Sequence, residues 1–364
     1  MKANESHGLS WSASLLVTGL ICALALLTAR MLTPKSSYAL NRATQLPCTA
    51  SQSIEILGNG VVYSDGTSLR ALNDGGRQIW SYVVGSSCGF SVGDGGVSGW
   101  SGDSLTVLNA SNGTALFSAA LGEPVLSATA GDSYAAALVG EENSTTLIVL
   151  DLGGHEIDRI ALTDMTVLDF GFFNNGSMLW IMSLDTNGTV PMSQITTYKP
   201  GRMQSGSIVD SEQAIYKVMF DNPSVYAVGT TYIRAYDYTG IENQAGRRLI
   251  YGWYLYDSWE SGGSAVMAFV PISEVGTQTE INDIRLIHNT VDRTIRMPFP
   301  CFSIAVRGTN VYGFSDQHVM IHGLSSTHAD TYQLPFVCDG LIGITGGNSV
   351  VLVSGDSVYM VSLP

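Results

Sequence analysis

The segment SDGTSLRALNDGGRQIW, residues 64–80, decides the fold class of this 364-residue chain. It contains a turn with Asp and Gly, a short strand that ends on apolar residues, and a second turn with two glycines. The same order of elements returns along the chain, in SGDSLTVL from Ser101, GTTYIRAY from Gly229 and SGDSVYMV from Ser354. Second turns follow as NASNGTALF from Asn109 and YDYTGI from Tyr236, and DLGGHEI from Asp151 has the same place in a further unit. The chain is therefore built from repeats.

The repeat length identifies the architecture. Gly76 to Gly113 is 37 residues and Gly113 to Gly154 is 41 residues. A period of about 40 residues with four short strands per unit is typical of β-propellers. Turn signals interrupt the pattern every few residues, which excludes helical repeats. Unit boundaries near residues 51, 89, 129, 169, 218, 263, 302 and 339 predict an all-β, eight-bladed propeller, with seven blades as the alternative.

The last unit predicts how the ring closes. It contains only three strands before the chain ends at Pro364, whereas RATQLPCTA (residues 42–50) resembles DTYQLPFVCDG (residues 330–340), where the preceding unit has its fourth strand. Residues 43–48 are therefore predicted to supply the missing outer strand of the last blade, because an unpaired edge there would be a liability. The propeller domain is predicted to span 44–364.

An apolar segment precedes the propeller. The 22 residues between His7 and Arg30 have no charge, and as a helix they would extend about 33 Å, enough to cross a membrane. We predict a stub at 1–7, a transmembrane helix at 8–32 and a linker at 33–43. A cleaved signal peptide and a lipoprotein at Cys22 are alternatives, but the flanking residues fit either cleavage site poorly.

The orientation of this anchor is contested within the sequence. Arg30, Lys35 and Arg42 follow the helix and favour a cytoplasmic propeller. Large domains can be exported despite such charges, and the cysteines described below favour an oxidising compartment. We therefore predict a single-pass protein of the cell membrane with its propeller outside the cytoplasm.

Charge and composition restrict the partners. The protein has 40 glycines, 13 % charged residues and 45 % hydrophobic residues, which suits short strands and a packed core. Residues 43–364 contain 13 Lys and Arg against 30 Asp and Glu, a net charge of −17. Such a body repels phosphate backbones, so nucleic acid is excluded as a partner.

The segment LRALNDGGRQIWSYVVG also resembles the repeat of quinoprotein-type propellers. That family has Ala-x-Asp-x-x-x-Gly-x-x-x-Trp, and this chain has Ala71, Asn73, Gly76 and Trp80 at those places, with Asn instead of Asp. The whole chain is similar to an uncharacterised Gram-positive family of membrane-anchored propellers. The resemblance implies a propeller fold. Such propellers include both non-enzymatic scaffolds of envelope assembly and quinone-dependent dehydrogenases.

Four cysteines lie at junctions between units: Cys48, Cys88, Cys301 and Cys338. Equivalent positions on adjacent blades can be close enough for a disulfide. We expect Cys48 with Cys88 and Cys301 with Cys338, or alternatively Cys48 with Cys338. The other interpretation is four small buried thiols.

The search for catalytic chemistry assigns no catalytic, cofactor-binding or metal-binding residue. His318 and His322 are four residues apart but lie in a strand pattern, which separates them by roughly 13 Å. DTNG at Asp185 lacks the remaining carboxylates of a calcium loop. The chain has no adjacent cysteine pair of the kind found over the quinone cofactor.

The candidate binding surface is YGWYLYDSWESGG, from Tyr251. Strand alternation puts Tyr251, Trp253 and Leu255 on one side and Tyr254 and Tyr256 on the other. Aromatic side chains of this stretch could form a platform for a protein or a glycan, with packing between blades as the alternative. The candidate residues are Tyr251, Trp253, Tyr254, Tyr256 and Trp259. The insertion YKPGRMQSGSIVDSEQ, residues 198–213, is predicted as a long loop of the fourth unit.

These observations favour a non-catalytic binding or scaffold module for an envelope protein or a glycan. A quinoprotein-like oxidoreductase is the alternative. A cytoplasmic-side interaction platform is the third hypothesis.

Overall fold

The computed structural model describes residues 38–40, 42–141, 144–163, 165–221, 223–261, 264–276 and 280–364. Ala39–Pro364 forms one compact unit. The predicted stub at 1–7, the transmembrane helix at 8–32 and most of the linker at 33–43 lie outside the described residues. Within the described ranges, no helix is both long and apolar enough to cross a membrane.

The described chain folds into eight antiparallel sheets, which are the blades of a propeller. Two strands precede the first blade, β1 (Tyr38–Ala39) and β2 (Ala43–Thr49). Blades one to four contain, in order, β3 (Ile54–Leu57), β4 (Gly60–Ser64), β5 (Ser68–Leu72), β6 (Gln78–Val83); β7 (Gly89–Gly93), β8 (Gly96–Ser101), β9 (Ser104–Leu108), β10 (Ala115–Ala120); β11 (Val125–Ala130), β12 (Tyr134–Glu141), β13 (Ser144–Asp151), β14 (Glu156–Thr163); β15 (Thr166–Phe173), β16 (Met178–Asp185), β17 (Met192–Tyr198), β18 (Gln204–Asp210).

Blades five to eight continue the same up-and-down order. They contain β19 (Ile215–Asp221), β20 (Ser224–Gly229), β21 (Tyr232–Tyr236), β22 (Glu242–Leu249); β23 (Trp253–Ser261), β24 (Ser264–Pro271), β25 (Ile281–His288), β26 (Val291–Cys301); β27 (Ser303–Arg307), β28 (Asn310–Phe314), β29 (His318–Gly323), β30 (Asp330–Gln333); β31 (Gly340–Ile344), β32 (Ser349–Ser354), β33 (Ser357–Ser362). One 3-10 turn, Ile272–Glu274, follows β24. The eight-bladed prediction is confirmed, and the seven-bladed alternative is wrong.

The ring closes through β2, which pairs with the last strand, β33. Gln45 lies opposite Tyr359, and Thr44 lies opposite Met360. The eighth sheet therefore has the order β2-β33-β32-β31 and combines the two ends of the domain. The predicted closing strand spans 43–48, and the observed strand is Ala43–Thr49. β1 adds a fifth strand to the outer edge of blade seven.

Two features of blades four and six differ from the sequence predictions. The boundary near 263 is wrong, because blade six begins at Trp253 and Ser261 pairs with Ser264 inside the blade. Glycine-rich turns within and between blades look alike in sequence. The predicted loop at 198–213 is also wrong, because most of it forms the outer strand β18 and its turn.

The core is divided into eight parts. One cluster of buried apolar side chains lies between each pair of neighbouring blades. The first strands of neighbouring blades contact one another around the axis, as in β23 with β27 and β27 with β31. Each blade is therefore stable only between two neighbours, which is the physical reason for a closed ring.

The repeat motif of the sequence holds adjacent blades together. Trp80, on the outer strand of blade one, packs against Gly113 in the turn between the third and fourth strands of blade two. Phe117 packs in the same way against Gly154, and the closing strand packs against Gly76. All three glycines have positive φ, a conformation that favours glycine. The spacing of Gly and the aromatic residue thus encodes contacts between blades.

Candidate functional site

The aromatic stretch of the sequence forms the inner strand of blade six, and Tyr251 lies just before it. β23 pairs with β24 and contacts β27 of blade seven and β19 of blade five. Its register shifts between Leu255 and Asp257, which is a β-bulge. The predicted alternation therefore fails beyond Leu255, because the bulge changes which side the following residues occupy.

Tyr251 and Tyr254 reach solvent at the start of this strand. Tyr251 is 77 % exposed and Tyr254 is 42 % exposed. The Tyr254 ring stacks on Tyr216 of blade five, with centroids 5.5 Å apart and an 8° angle between the planes. The Tyr216 hydroxyl accepts a hydrogen bond from the backbone N–H of Leu255 at 3.1 Å, which fixes the stacked pair. Burial raises the pKa of the Tyr216 phenol.

Three aliphatic side chains that the sequence analysis missed extend this surface. Leu249 is 57 % exposed, Ile272 is 54 % exposed and Val275 is 41 % exposed. The Ile272 N–H donates to the Gly252 carbonyl at 2.9 Å, which holds the 3-10 turn beside Tyr251. We call Leu249, Tyr251, Tyr254, Ile272 and Val275 the blade-six patch. The segment PISEV, residues 271–275, contains apolar side chains that could have indicated this surface. Only the fold brings them to Tyr251.

Trp253 is half-buried and belongs to the packing between blades five and six. The Arg285 guanidinium lies 6.0 Å from its ring centroid. Arg285 also donates from Nη1 to the Leu249 carbonyl at 2.9 Å and pairs with Asp292 at 2.7 Å. Arg285 therefore connects the patch residue Leu249 to Trp253, which contributes packing between the blades and not to the exposed patch.

Tyr256 and Trp259 lie further along the strand and line the axial channel instead of the patch. The Tyr256 hydroxyl lies 3.3 Å from Ser303 Oγ of blade seven. The Arg307 guanidinium lies 4.4 Å from the Trp259 ring centroid, a cation–π contact, and donates to the Ile344 carbonyl of blade eight at 3.0 Å. The five predicted surface residues are thus divided between the patch, the interior and the channel.

The axial channel contains two adjoining cavities of about 630 Å³ and 380 Å³, and Asp94 lines both. Lys217 and Glu260 line the smaller cavity, and Asp257 lines the larger one. Burial raises the pKa of Asp169, on the first strand of blade four, and the positive charge of Lys217 offsets part of that rise. The channel therefore has a mixed polar and aromatic wall with an excess of carboxylates.

Two carboxylates of the inner strands connect neighbouring blades. Glu55 accepts a hydrogen bond from the Val92 N–H at 2.8 Å, and Asp257 accepts one from the Val306 N–H at 2.7 Å. Burial raises the pKa of both carboxyl groups. Glu260 faces the water of the channel but is surrounded by protein, and desolvation raises its pKa to about 6. The hydrogen bonds of Glu55 and Asp257 thus join the inner strands of neighbouring blades.

The four cysteines occupy four different interfaces between blades, and all are free thiols in the structure. Cys48, Cys301 and Cys338 are buried, and Cys88 is half-buried with its Sγ 3.1 Å from Ser64 Oγ. No disulfide joins these four cysteines in the structure, and the predicted pairings stay predictions. Burial raises the pKa of Cys48 to about 11, and those of Cys301 and Cys338 to about 12.

His318 and His322 lie in a strand and Asp185 begins a turn, as the sequence predicts. His318 and His322 both belong to strand β29, and His322 is buried with Nδ1 2.7 Å from the Gly323 carbonyl oxygen. Asp185 accepts a hydrogen bond from the Asn187 N–H at 2.9 Å, which is a turn geometry. No group of three or more His, Cys, Asp or Glu side chains in the described part of the chain is arranged to hold a metal ion.

Comparison with solved structures shows the fold alone. The C-terminal WD40 domain of Sif2 is 12 % identical and has a TM-score of 0.63, with 91 % of this chain and all of that chain covered. Sqt1 of Saccharomyces cerevisiae is 8 % identical and has a TM-score of 0.58, with 90 % of this chain and all of that chain covered. No family model and no curated protein matches. The resemblance to quinoprotein-type propellers and to a Gram-positive family stays a prediction.

Proposed function

We propose that this protein is a non-catalytic scaffold that binds a partner protein through the blade-six patch. The observation that carries the proposal is the exposure of Tyr251 beside Leu249 and Ile272 on one surface. Monomeric proteins rarely leave neighbouring large apolar side chains in water unless the surface binds something. Tyrosine is favoured at such sites because its ring buries a large area while its hydroxyl stays hydrated.

The patch is also pre-organised. Tyr254 is stacked on Tyr216, and the turn that contains Ile272 is hydrogen-bonded to Gly252. A partner that docks there would order few protein side chains, so little of the contact energy would be lost as conformational entropy. A rigid propeller face with fixed aromatic side chains is suited to binding, whereas the carboxylates of Glu55 and Asp257 hold neighbouring blades together.

The proposal includes a place in the cell. We infer that residues 8–32 anchor the protein in the cell membrane as a single-pass helix, and that the partner is a protein of the cell envelope. The uncharged stretch before Arg30 supports the anchor. The basic residues that follow it favour the opposite orientation, in which the same patch would serve a cytoplasmic partner.

Photo-crosslinking tests the proposal directly. A benzophenone amino acid replaces Tyr251 or Tyr254 in the full-length protein in intact cells, and Met203 provides the matched control. Met203 is 80 % exposed but lies in a turn of blade four at the opposite end of the strands. We expect the same protein to be captured from positions 251 and 254 and not from position 203. Capture of no protein, of a glycan, or of the same proteins from all three positions would contradict the proposal.

A series of variants tests whether the aromatic side chains contact the partner protein. Tyr251→Ser combined with Tyr254→Ser should lower crosslinking from position 272 at least tenfold, and Met203→Ser should leave it unchanged. Circular dichroism of the purified variants shows whether each still folds. The oxidoreductase alternative predicts something different: reduction of an artificial dye after addition of calcium and a quinone cofactor, with no effect of the Tyr251 and Tyr254 changes.

A further inference from the structure

The two ends of the strands form two faces with different charge. One end contains the turns between the second and third strands of each blade and the connections from one blade to the next; we call it the B–C face. Backbone hydrogen bonds join these segments, as from the Leu121 N–H to the Asp103 carbonyl and from the Cys338 N–H to the Asp316 carbonyl, both at 2.8 Å. The blade-six patch lies on this face, since the patch contains Tyr251 of a connection and Ile272 of a turn.

Acidic residues are concentrated on the B–C face. Its described turns and connections contain no Lys or Arg, and they contain nine carboxylates: Asp65, Asp103, Glu123, Glu212, Glu274, Glu280, Asp316, Asp339 and Asp356. Three of these pair with an arginine of a neighbouring strand, in Asp65–Arg70, Glu123–Arg159 and Glu212–Arg234. Asp103, Asp316, Asp339 and Asp356 are exposed and form no ion pair within the described ranges.

The opposite face is close to neutral. The described turns there contain the carboxylates Asp74, Asp94, Asp132 and Asp237 and the basic residues Arg77, Lys199 and Arg202. Arg42, at the start of the closing strand, lies at the same end. The net charge of the protein is therefore distributed unevenly, and the excess of negative charge lies on the face that also contains the apolar patch.

We propose that the occupant of the patch is a basic protein segment, in which Lys or Arg residues flank an aromatic or aliphatic anchor. This inference depends on the proposed scaffold function and names the chemistry of its partner. An acidic face attracts positive charge over about 10 Å at moderate salt, which raises the association rate and excludes acidic competitors. The same field disfavours a second copy of this chain and an anionic lipid surface, because both would bring like charges together.

The experiment uses the full-length protein in phosphatidylcholine nanodiscs and a fluorescent peptide KWKLKWK as the probe. The peptide EWELEWE is the charge-reversed control. Asp316→Lys with Asp356→Lys changes the B–C face, and Asp74→Lys with Asp132→Lys makes the same change of charge on the opposite face. All four carboxylates are exposed, so both variants should fold, which circular dichroism checks.

We expect the B–C variant to raise the Kd for KWKLKWK about fivefold or more, and the opposite-face variant to change it less than twofold. Tyr251→Ser with Tyr254→Ser should also weaken binding, and EWELEWE should not bind. Equal effects of the two charge variants, tight binding of EWELEWE, a dimer in sedimentation, or association with phosphatidylglycerol vesicles would each overturn the inference. If crosslinking from position 251 captures an acidic protein, this inference fails while the scaffold function stands; if crosslinking captures no protein, the scaffold function itself fails.

Discussion

Trp80 donates a hydrogen bond from its indole nitrogen to the Ala110 carbonyl oxygen at 2.9 Å, and a Cβ at Gly113 would lie 2.6 Å from the same ring. The two contacts join the outer strand of blade one to a turn of blade two. They explain why a glycine turn and an aromatic residue recur together in the sequence. The pair is thus a direct link between the repeat motif and the assembly of the ring.

Replacement of Gly113 by alanine should destabilise the protein by about 2–4 kcal/mol, because the methyl group meets the Trp80 ring and the φ of +68° is strained for alanine. Gly102 is the matched control: its φ is +60°, and a Cβ there would have no neighbour within 4 Å. Gly102→Ala should cost only about 1 kcal/mol from the backbone. Equilibrium urea unfolding measures both, and equal losses would show that the contact with Trp80 is unimportant.

Removal of the closing strand should prevent stable folding. A chain that begins at Arg42 keeps β2 and should unfold like the full-length propeller, whereas a chain that begins at Ser51 loses the buried Leu46 and Cys48 and exposes β33. Leu46→Ala in the intact protein should cost about 2–4 kcal/mol. Size-exclusion chromatography and thermal unfolding test this, and a stable monomer from the chain that begins at Ser51 would contradict it.

Glu260 should make the stability depend on pH between 4.5 and about 6. Its pKa of about 6 in the folded protein is above the ordinary value of 4.5, so the folded state binds the proton more tightly than the unfolded state. Stability from this group is therefore fully present below pH 4.5 and is lost as the pH rises through 6. Glu260→Gln should remove that loss, and the variant should be more stable than the wild-type protein at pH 7 but not at pH 4.5. The same difference at both pH values would exclude titration of Glu260 as the cause.

The four propeller cysteines should differ in reactivity. In a Cys22→Ser background at pH 8, a thiol reagent should modify Cys88 first, because Cys48, Cys301 and Cys338 are buried and have raised pKa values. The three buried thiols should react only after unfolding in denaturant. If the protein comes from an oxidising compartment, each disulfide would lower the number of thiols that react after unfolding by two. Equal rates for all four in the native protein would contradict the packing described here.

The repeat pattern in the sequence was sufficient to predict much of the fold. Turn glycines at regular spacing predict the number of blades, and the resemblance of residues 42–50 to 330–340 predicts which strand closes the ring. Both features depend on local chemistry: a positive φ favours glycine, and an unpaired strand edge needs a partner. The boundary at 263 was wrong, because the glycine-rich sequence between β23 and β24 has the same composition as a connection between blades.

The candidate site was only partly readable from sequence. Tyr251 and Tyr254 were predicted as surface residues, and the structure exposes both. Tyr256 and Trp259 were predicted to share that surface, but the structure places both in the wall of the channel. The reasons are the bulge after Leu255 and the position of β23 as the inner strand of its blade. The regular alternation of side chains along a strand does not predict a bulge, because the position of the extra residue depends on packing against the neighbouring strand.

The sequence by itself determined the propeller repeat and the composition of its turns, since these depend on interactions between residues close along the chain. Tertiary structure alone decided that Leu249, Tyr251 and Ile272 lie on one surface, and that this surface belongs to the face with the excess of carboxylates. The physical reason is the alternation of antiparallel strands, which sends successive turns to opposite ends of each blade. Ring closure then brings equivalent turns from eight blades together on one face.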